Sequence, residues 1–246
     1  MDISSTSSHS SLYYTLADDI LPALTDKCII LDIDHTLVCS HDDKKILEDF
    51  GIFTDPNLYY IRDRFYFLSF SERKKVSFWG ITRPFLKEFL VFCFSYFKIV
   101  SIWSAGKKDY VHSIVRHIFK DLPQPHVVFT YDDVEFTLDG KILKPIIKMA
   151  QSNPVLEYHM RLDNTFCVDD NPMTFLLNKD NGILIPPYNP PLNIKAISRD
   201  DPSLIQLKYW LLQPTVMNST DVRELDKTEI FTIPVEEYKK KLKLRI

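Results

Sequence analysis

The chain has 246 residues, of which 45% are hydrophobic and 13% aromatic. This composition supplies enough apolar surface for a core and excludes a globally disordered protein. The 30 basic and 33 acidic residues leave a net charge of −3, which argues against direct binding of a nucleic-acid backbone. The four cysteines show no C-x-x-C spacing. They therefore imply no disulfide framework and indicate reduced, buried thiols of an intracellular protein.

The longest apolar stretch runs from Phe89 to Ala105 and is interrupted by Lys98. It is shorter than the ~20 apolar residues that a membrane-spanning helix needs, so we expect a helix end followed by a core strand. The Ser-rich and acidic first segment lacks the basic and apolar regions of a signal peptide. The sequence thus predicts a soluble protein of the nucleus or cytoplasm, with no membrane span.

Periodicity and turn residues predict the elements of the first part of the chain. In chain order, they are a disordered polar leader over residues 1–12, a short helix at 13–24, a strand at 28–31 that runs into Asp32, an irregular segment at 39–56, and a β-hairpin at 58–81 with a charged turn at 71–75.

The later elements alternate between strands and helices. They are a helix opened by Arg83-Pro84 and running to about 97, a strand at 98–103, a helix at 107–119, a second hairpin at 127–143 with Asp139-Gly140 as its turn, a helix after Lys144-Pro145, a strand at 165–168, a short strand at 183–185, a helix at 203–212 and a basic tail. This alternation predicts an α/β fold with an open, mainly parallel, Rossmann-like sheet.

Asp32 and Asp34 follow directly on the buried first strand. In an extended chain, positions i and i+2 point the same way, so we expect the two carboxylates to share one small region. Unpaired, they would repel each other and one would take up a proton. A divalent cation removes the conflict, and hard carboxylate oxygens suit Mg²⁺. The alternative is a simple turn or helix cap.

Polar residues also end the next two strands. Ser104, Ala105 and Gly106 follow the second strand, where a hydroxyl and free backbone N–H groups could bind an anion or Ser104 could simply cap the next helix. Asp169 and Asp170 end the third strand. Either acid could complete a cation site, although an Asp-Asn-Pro turn would look the same.

Two lysines compete for the role of anion ligand. Lys144 precedes Pro145 and is therefore expected on a loop, from which its ammonium group could reach an anion. Lys148, one turn further along, is the alternative. A solvated surface position is the common fate of a lysine in either place.

These segments together resemble a known family. Asp32-Ile33-Asp34-His35-Thr36 resembles the Asp-x-Asp-x-Thr signature of haloacid-dehalogenase-type phosphatases. The branch that it resembles is that of the RNA polymerase II C-terminal domain (CTD) phosphatases, the small CTD phosphatase and NLI-interacting-factor group. Further matches in the same order are Arg83-Pro84, Ile102 to Gly106, Lys144, and Val168 to Pro172, so the similarity spans residues 25–215.

The resemblance implies a haloacid-dehalogenase-like fold with a β-hairpin flap and a β insertion. It places the phosphatase domain at residues 13–220, its insertions at 39–81 and 127–143, and a C-terminal tail at 221–246. It also implies the site residues, which are Asp32 as nucleophile, Asp34 as general acid and base, Lys144 as the catalytic lysine, Thr36, Ser104, Ala105 and Gly106 as phosphate ligands, Asp32, Asp34 (through its carbonyl) and Asp170 as Mg²⁺ ligands, and Asp169 as their support.

By the same resemblance, the substrate is a phosphorylated protein. We expect phosphoserine or phosphothreonine in a Ser-Pro-rich peptide, with the RNA polymerase II CTD as a candidate. Tyr131 and Phe136 in the second hairpin are candidates for a substrate-proline pocket, or else simple core aromatics. Two alternatives stay open, namely the same chemistry on a small-molecule or nucleic-acid phosphate, and a catalytically inactive member that binds a partner.

Overall fold

A computed structural model of the chain describes residues 22–71 and 75–242. Its strands are β1 (Cys28–Leu31), β2 (Val38–His41), β3 (Phe65–Ser71), β4 (Lys75–Thr82), β5 (Ile99–Trp103), β6 (Val127–Phe129), β7 (Glu135–Phe136), β8 (Ile142–Leu143), β9 (Thr165–Asp169) and β10 (Gly182–Leu184). Its α-helices are α1 (Lys44–Phe50), α2 (Tyr59–Arg62), α3 (Leu86–Tyr96), α4 (Lys108–Ile118), α5 (Ile146–Ala150), α6 (Pro154–His159), α7 (Ile194–Ile197), α8 (Ser203–Leu211), α9 (Pro214–Met217) and α10 (Val235–Lys241).

Five parallel strands form the central sheet, in the order β10-β9-β1-β5-β6. The chain goes from β1 outward to β5 and β6, and then returns to place β9 and β10 on the other side of β1. The strand order therefore reverses between β1 and β9. In open α/β sheets, ligands bind beyond the carboxyl ends of the strands at such a point.

Both faces of this sheet are covered, because alternate residues of a strand point to opposite sides. Ile29 and Leu31 belong to one apolar cluster, together with residues of α3, α4 and α8. Cys28 and Ile30 belong to the other, together with residues of α5 and α6. This two-sided burial explains why β1 has a continuous apolar sequence. The predicted α/β fold class with a mainly parallel sheet is confirmed.

A second, antiparallel sheet has the order β2-β4-β3. It is the predicted hairpin flap, widened by β2. Its own small core is built around Trp79, which is fully buried and donates from its indole Nε1 to the carbonyl of Asp43 at 2.7 Å. The flap is therefore a packed unit that stands beside the carboxyl end of β1.

Three local predictions were wrong. The segment 39–56 is not irregular, since it contains β2 and α1, the latter capped by the side chain of Asp43; both elements are too short to show a clear period. Residues 59–62 form α2, so the first hairpin begins only at Phe65. Val127–Phe129 pairs parallel to β5 at the edge of the central sheet, as a continuous apolar run can, and only β7 and β8 form the second hairpin.

The segment after residue 220 contributes to the main core. Val222, Ile230 and Tyr238 are buried in the first apolar cluster, and the Tyr238 hydroxyl donates to the carbonyl of Ile230 at 3.0 Å. The domain boundary at 220 stays a prediction. The leader at 1–12, most of the helix at 13–24, the tip of the first hairpin and residues 243–246 lie outside the described residues.

The apolar stretch that begins at Phe89 forms the end of α3 and then β5, as expected. Within residues 22–71 and 75–242, no helix is both long and apolar enough to cross a bilayer.

Candidate active site

Three carboxylates meet where the strand order of the central sheet reverses. Leu31 of β1 lies opposite Val168 of β9, so Asp32 leaves β1 beside the point where Asp169 and Asp170 end β9. One carboxylate oxygen from each of the three acids lies within 4.8 Å of the other two. Asp32 and Asp169 are buried and Asp170 is half-buried. The two distant segments thus bring their acids to one spot.

The ammonium group of Lys144 bridges two of these acids. Its Nζ lies 2.6 Å from Oδ1 of Asp32 and 2.6 Å from Oδ2 of Asp169. Burial alone would lower the pKa of Lys144, but the two carboxylates outweigh burial and raise it, so the lysine stays charged. Lys148 points elsewhere, since its nearest ion-pair partner is Glu135 at 3.7 Å. Lys144 is therefore the lysine that reaches the acids.

The cluster combines three carboxyl groups with a single ammonium group. Burial is the largest cause that raises the pKa of Asp32, and the charges of Asp169 and Asp34 add to it against the opposing effect of Lys144. Burial and then Asp169 also raise the pKa of Asp170. Three closely spaced carboxylates with one ammonium group form a hard-oxygen donor set that fits a divalent cation.

The three acids are not equally free to bind a cation. Asp169 already accepts at both oxygens, from Lys144 at Oδ2 and from the backbone N–H of Asn171 at Oδ1, 2.9 Å away. Asp32 and Asp170 are therefore the acids that could hold a cation, and Asp169 is placed to orient Lys144.

The carboxylate of Asp34 is not part of the three-acid cluster, although its charge still acts on Asp32. The chain turns sharply after Ile33, whose carbonyl accepts from the N–H groups of Thr36, Leu37 and Val38. The Asp34 carboxylate accepts instead a hydrogen bond from the hydroxyl of Tyr110. Burial raises the pKa of Asp34, and the bond from Tyr110 opposes that rise.

Ser104 ends the strand on the other side of β1. Its buried Oγ accepts from the N–H of Gly106 at 3.0 Å, which leaves the hydroxyl proton available for another acceptor. Gly106 is closely packed, because an added Cβ would lie 2.8 Å from the ring of Tyr110. The buried hydroxyl of Thr36 has no hydrogen-bond partner among the described residues. Both hydroxyls could therefore serve a bound anion.

Arg83 holds the segment that follows Asp34. This fully buried side chain donates to the carbonyls of Thr36 (3.1 Å) and Pro186 (2.7 Å), to both carboxylate oxygens of Asp201 (3.0 Å each) and to Ser203 (2.9 Å). Sequence reasoning identified Arg83 as the start of a helix and as a match to the family, and gave it no role in the site. Its partners lie up to 120 residues away in the chain, so no local pattern could have found them.

A cleft of about 500 Å³ opens beside Asp34. The flap sheet and the start of α4 form its walls, and its lining consists of Asp34, Ser40, His41, Asp42, Phe70, Val76, Phe78, Lys107 and Tyr110. Tyr131 and Phe136 do not line it. They form an edge-to-face pair with ring centroids 5.7 Å apart and are about half exposed, so they are not simple core aromatics.

Comparison with known proteins decides the family. A model of the NLI interacting factor-like phosphatases matches residues 27–223. The chain belongs to this family. One curated relative, the CTD phosphatase-like protein 355R of Invertebrate iridescent virus 3, is 33% identical over 106 residues, which are 41% of this chain and 48% of that protein. The chain thus spans about half the length of this relative.

Two solved structures share the haloacid-dehalogenase-like fold. A variant of the fission yeast RNA polymerase II CTD phosphatase Fcp1 bound to beryllium fluoride has a TM-score of 0.50 and 20% identity, over 88% of this chain and 55% of the other. A structure of Fcp1, described as an essential RNA polymerase II CTD phosphatase, has a TM-score of 0.51 and 19% identity, over 88% and 61% of the two chains. At these identities, the likeness shows the fold.

Proposed function

We propose that this protein is a Mg²⁺-dependent phosphatase that removes phosphate from serine or threonine of a phosphorylated protein. The observation that carries the proposal is the buried cluster of Asp32, Asp169 and Asp170, bridged by Lys144, at the point where the strand order of the sheet reverses. Membership of a phosphatase family supports it.

The nucleophile in this proposal is a carboxylate oxygen of Asp32. It attacks phosphorus, an aspartyl-phosphate forms, and the bond from phosphorus to the serine or threonine oxygen breaks. Lys144, already paired with Asp32, neutralises charge on the phosphoryl oxygens. Thr36, Ser104 and the backbone N–H of Ala105 bind those oxygens, whereas the N–H of Gly106 is already engaged with Oγ of Ser104.

Asp34 acts as the general acid and then as the general base. Its carboxylic acid gives a proton to the departing oxygen, and the resulting carboxylate then takes a proton from the water that hydrolyses the aspartyl-phosphate. Asp32, Asp170 and the backbone carbonyl of Asp34 would hold Mg²⁺. When bound, this cation neutralises the acids and polarises the phosphate.

The cleft beside Asp34 favours a macromolecular substrate. Phe70, Val76 and Phe78 of the flap line it beside polar and charged side chains, and this mixed wall suits a peptide segment next to a phosphorylated residue. The viral relative is described as CTD phosphatase-like and Fcp1 as an RNA polymerase II CTD phosphatase, which supports a CTD-like substrate. We therefore propose CTD-like Ser-Pro heptads as the substrate class.

The test is phosphate release from heptad peptides that carry one phosphate, at either of the two Ser-Pro serines, compared with release from sugar phosphates. We expect peptide turnover that stops with chelator and returns with Mg²⁺. Asp32→Asn should lower it by ~10³-fold or more, while the exposed control Asp226→Asn should leave it unchanged. Near wild-type turnover by Asp32→Asn would show that the nucleophile assignment is wrong. Turnover of sugar phosphates alone would favour a small-molecule enzyme, and peptide binding without turnover would favour an inactive binding protein.

A second measurement tests the cation site without activity. Because a ligand that binds only the folded state stabilises it, Mg²⁺ should raise the melting temperature of the wild type more than that of Asp170→Asn. The same rise in both proteins would remove Asp170 from the cation site.

A further inference from the structure

Three hydroxyl groups form a continuous hydrogen-bonded chain that ends on Asp34. The Tyr110 hydroxyl donates to Oδ1 of Asp34 and lies 2.6 Å from Oγ of Ser40. The Ser40 Oγ in turn lies 2.7 Å from the hydroxyl of Tyr66. This row of hydrogen bonds thus connects the flap strands β3 and β2 to the helix α4, and then to the loop after β1.

When Asp34 is ionised, the hydrogen bonds of these three hydroxyl groups can all donate in only one direction, toward Asp34. Each hydroxyl has a single proton. If Tyr110 donates its proton to the carboxylate, it must accept from Ser40, and Ser40 must accept from Tyr66. Every hydroxyl between the ends then donates once and accepts once. Such a satisfied, buried network holds its members in one arrangement.

The surrounding packing fixes both rings. The ring centroid of Tyr110 lies 4.9 Å from that of Phe78, and the ring of Tyr66 lies 5.0 Å from that of His117. Tyr66 is buried, and its phenol lies so close over Gly80 that an added Cβ would collide with it. The position of the last hydroxyl in the chain is therefore set by the flap sheet.

We propose that Tyr110 is a positioning residue for Asp34, and that Ser40 and Tyr66 hold its hydroxyl in place. The inference rests on the proposed function, in which Asp34 transfers protons. By donating to Oδ1, Tyr110 turns the carboxyl group so that Oδ2 faces the reacting phosphate and carries the transferred proton. The flap thereby contributes to the orientation of the general acid as well as to the wall of the cleft.

The test depends on how much a leaving group needs a proton. The serine oxygen of a phosphoserine peptide leaves only when a proton is transferred to it, whereas p-nitrophenolate leaves without protonation. The ratio kcat/KM reports the steps up to departure of the leaving group. Tyr110→Phe keeps the ring and should lower kcat/KM for the phosphoserine peptide by ~10–100-fold, within the range of general-acid catalysis, but by less than ~3-fold for p-nitrophenyl phosphate.

The matched control is Tyr158→Phe, which removes the hydroxyl of an exposed tyrosine on α6 and should change neither value. Ser40→Ala should show the same preference with smaller losses, and it keeps the test available if Tyr110→Phe does not fold. Adding Tyr110→Phe to Asp34→Asn should cause no further loss, because Tyr110 acts through Asp34.

Equal losses on both substrates, no loss on either, or full additivity with Asp34→Asn would each overturn the inference and leave the proposed function standing. A wild-type protein that hydrolyses neither substrate would instead reject the proposed function, and this inference with it.

Discussion

Replacement of the buried Arg83 by methionine should cause a large loss of stability. Methionine fills a similar volume but donates no hydrogen bonds. The buried carbonyl of Thr36 would lose its bond from Arg83, at a cost of ~1–3 kcal/mol for an unsatisfied acceptor. The carboxylate of Asp201 would lose both of its bonds from the guanidinium group.

The exposure of Asp201 limits the second cost. Breaking a fully buried ion pair costs ~3–5 kcal/mol, but the Asp201 side chain is 25% exposed and keeps some access to water. We reduce its share to ~1–3 kcal/mol on that ground. The sum for Arg83→Met is about 4 kcal/mol, a large part of the ~5–15 kcal/mol that stabilises a typical domain.

Urea unfolding monitored by tryptophan fluorescence measures this loss. Trp79 and Trp103 are fully buried, so their emission should change on unfolding, and linear extrapolation gives the free energy of unfolding. Arg83→Lys keeps one charge but not the planar fork of donors, so it should fall between wild type and Arg83→Met. The control Arg161→Met removes a half-exposed arginine that pairs with Asp163 and should cost ~0–1 kcal/mol. If Arg83→Met cost no more than Arg161→Met, the buried hydrogen bonds of Arg83 would not be a main source of stability.

Three further predictions follow from burial and close packing. Burial would raise the pKa of Asp201, but the hydrogen bonds and charge of Arg83 outweigh it and lower that pKa. The pair therefore stabilises the fold above the unfolded-state pKa of about 3.9, and this stabilisation is lost as pH falls through the folded-state pKa of Asp201. The difference in urea midpoint between wild type and Asp201→Asn should be constant from neutral to mildly acidic pH and should vanish below the folded-state pKa. A difference that persists in strong acid would contradict the prediction. Gly80→Ala should lower the melting temperature by about 3–10 °C, because the new Cβ would collide with the phenol of Tyr66 and lie 2.6 Å from the carbonyl oxygen of Cys39. An unchanged melting temperature would contradict this close approach of the neighbouring strands. The four cysteines are free and buried, and burial raises the pKa of Cys28 to about 12 and that of Cys39 to about 11. A disulfide reagent at mildly alkaline pH should therefore label none of the four thiols before urea is added. Rapid labelling of the folded protein would refute their burial. These are Cys28, Cys39, Cys93 and Cys167.

The main strands and the acids at their ends could be predicted because each depends on a short stretch of chain. A strand buried on both faces must be apolar throughout, and an acid after such a strand has few structural uses. β1 with Asp32 and β9 with Asp169 have this pattern. The segment 39–56 and the strand Val127–Phe129 were mispredicted because their elements are short, so that neighbouring strands rather than local periodicity decide their structure.

The contacts within the site depend on residues that are far apart in the chain. Lys144 and Lys148 are equivalent as a sequence pattern, and only the path of the loop after β8, where the N–H of Lys144 donates to the carbonyl of Thr174, turns Lys144 toward Asp32. The bond from Tyr110 to Asp34 joins positions 76 residues apart.

By itself, the sequence thus determined the kinds of chemical group and the strands that end in them, because those follow from burial and residue type along a few positions. Only the tertiary structure decided which groups touch, since an oriented hydrogen bond requires two backbone segments to be held at a set distance and angle, and that placement comes from the packing of the sheet, the flap and their helices.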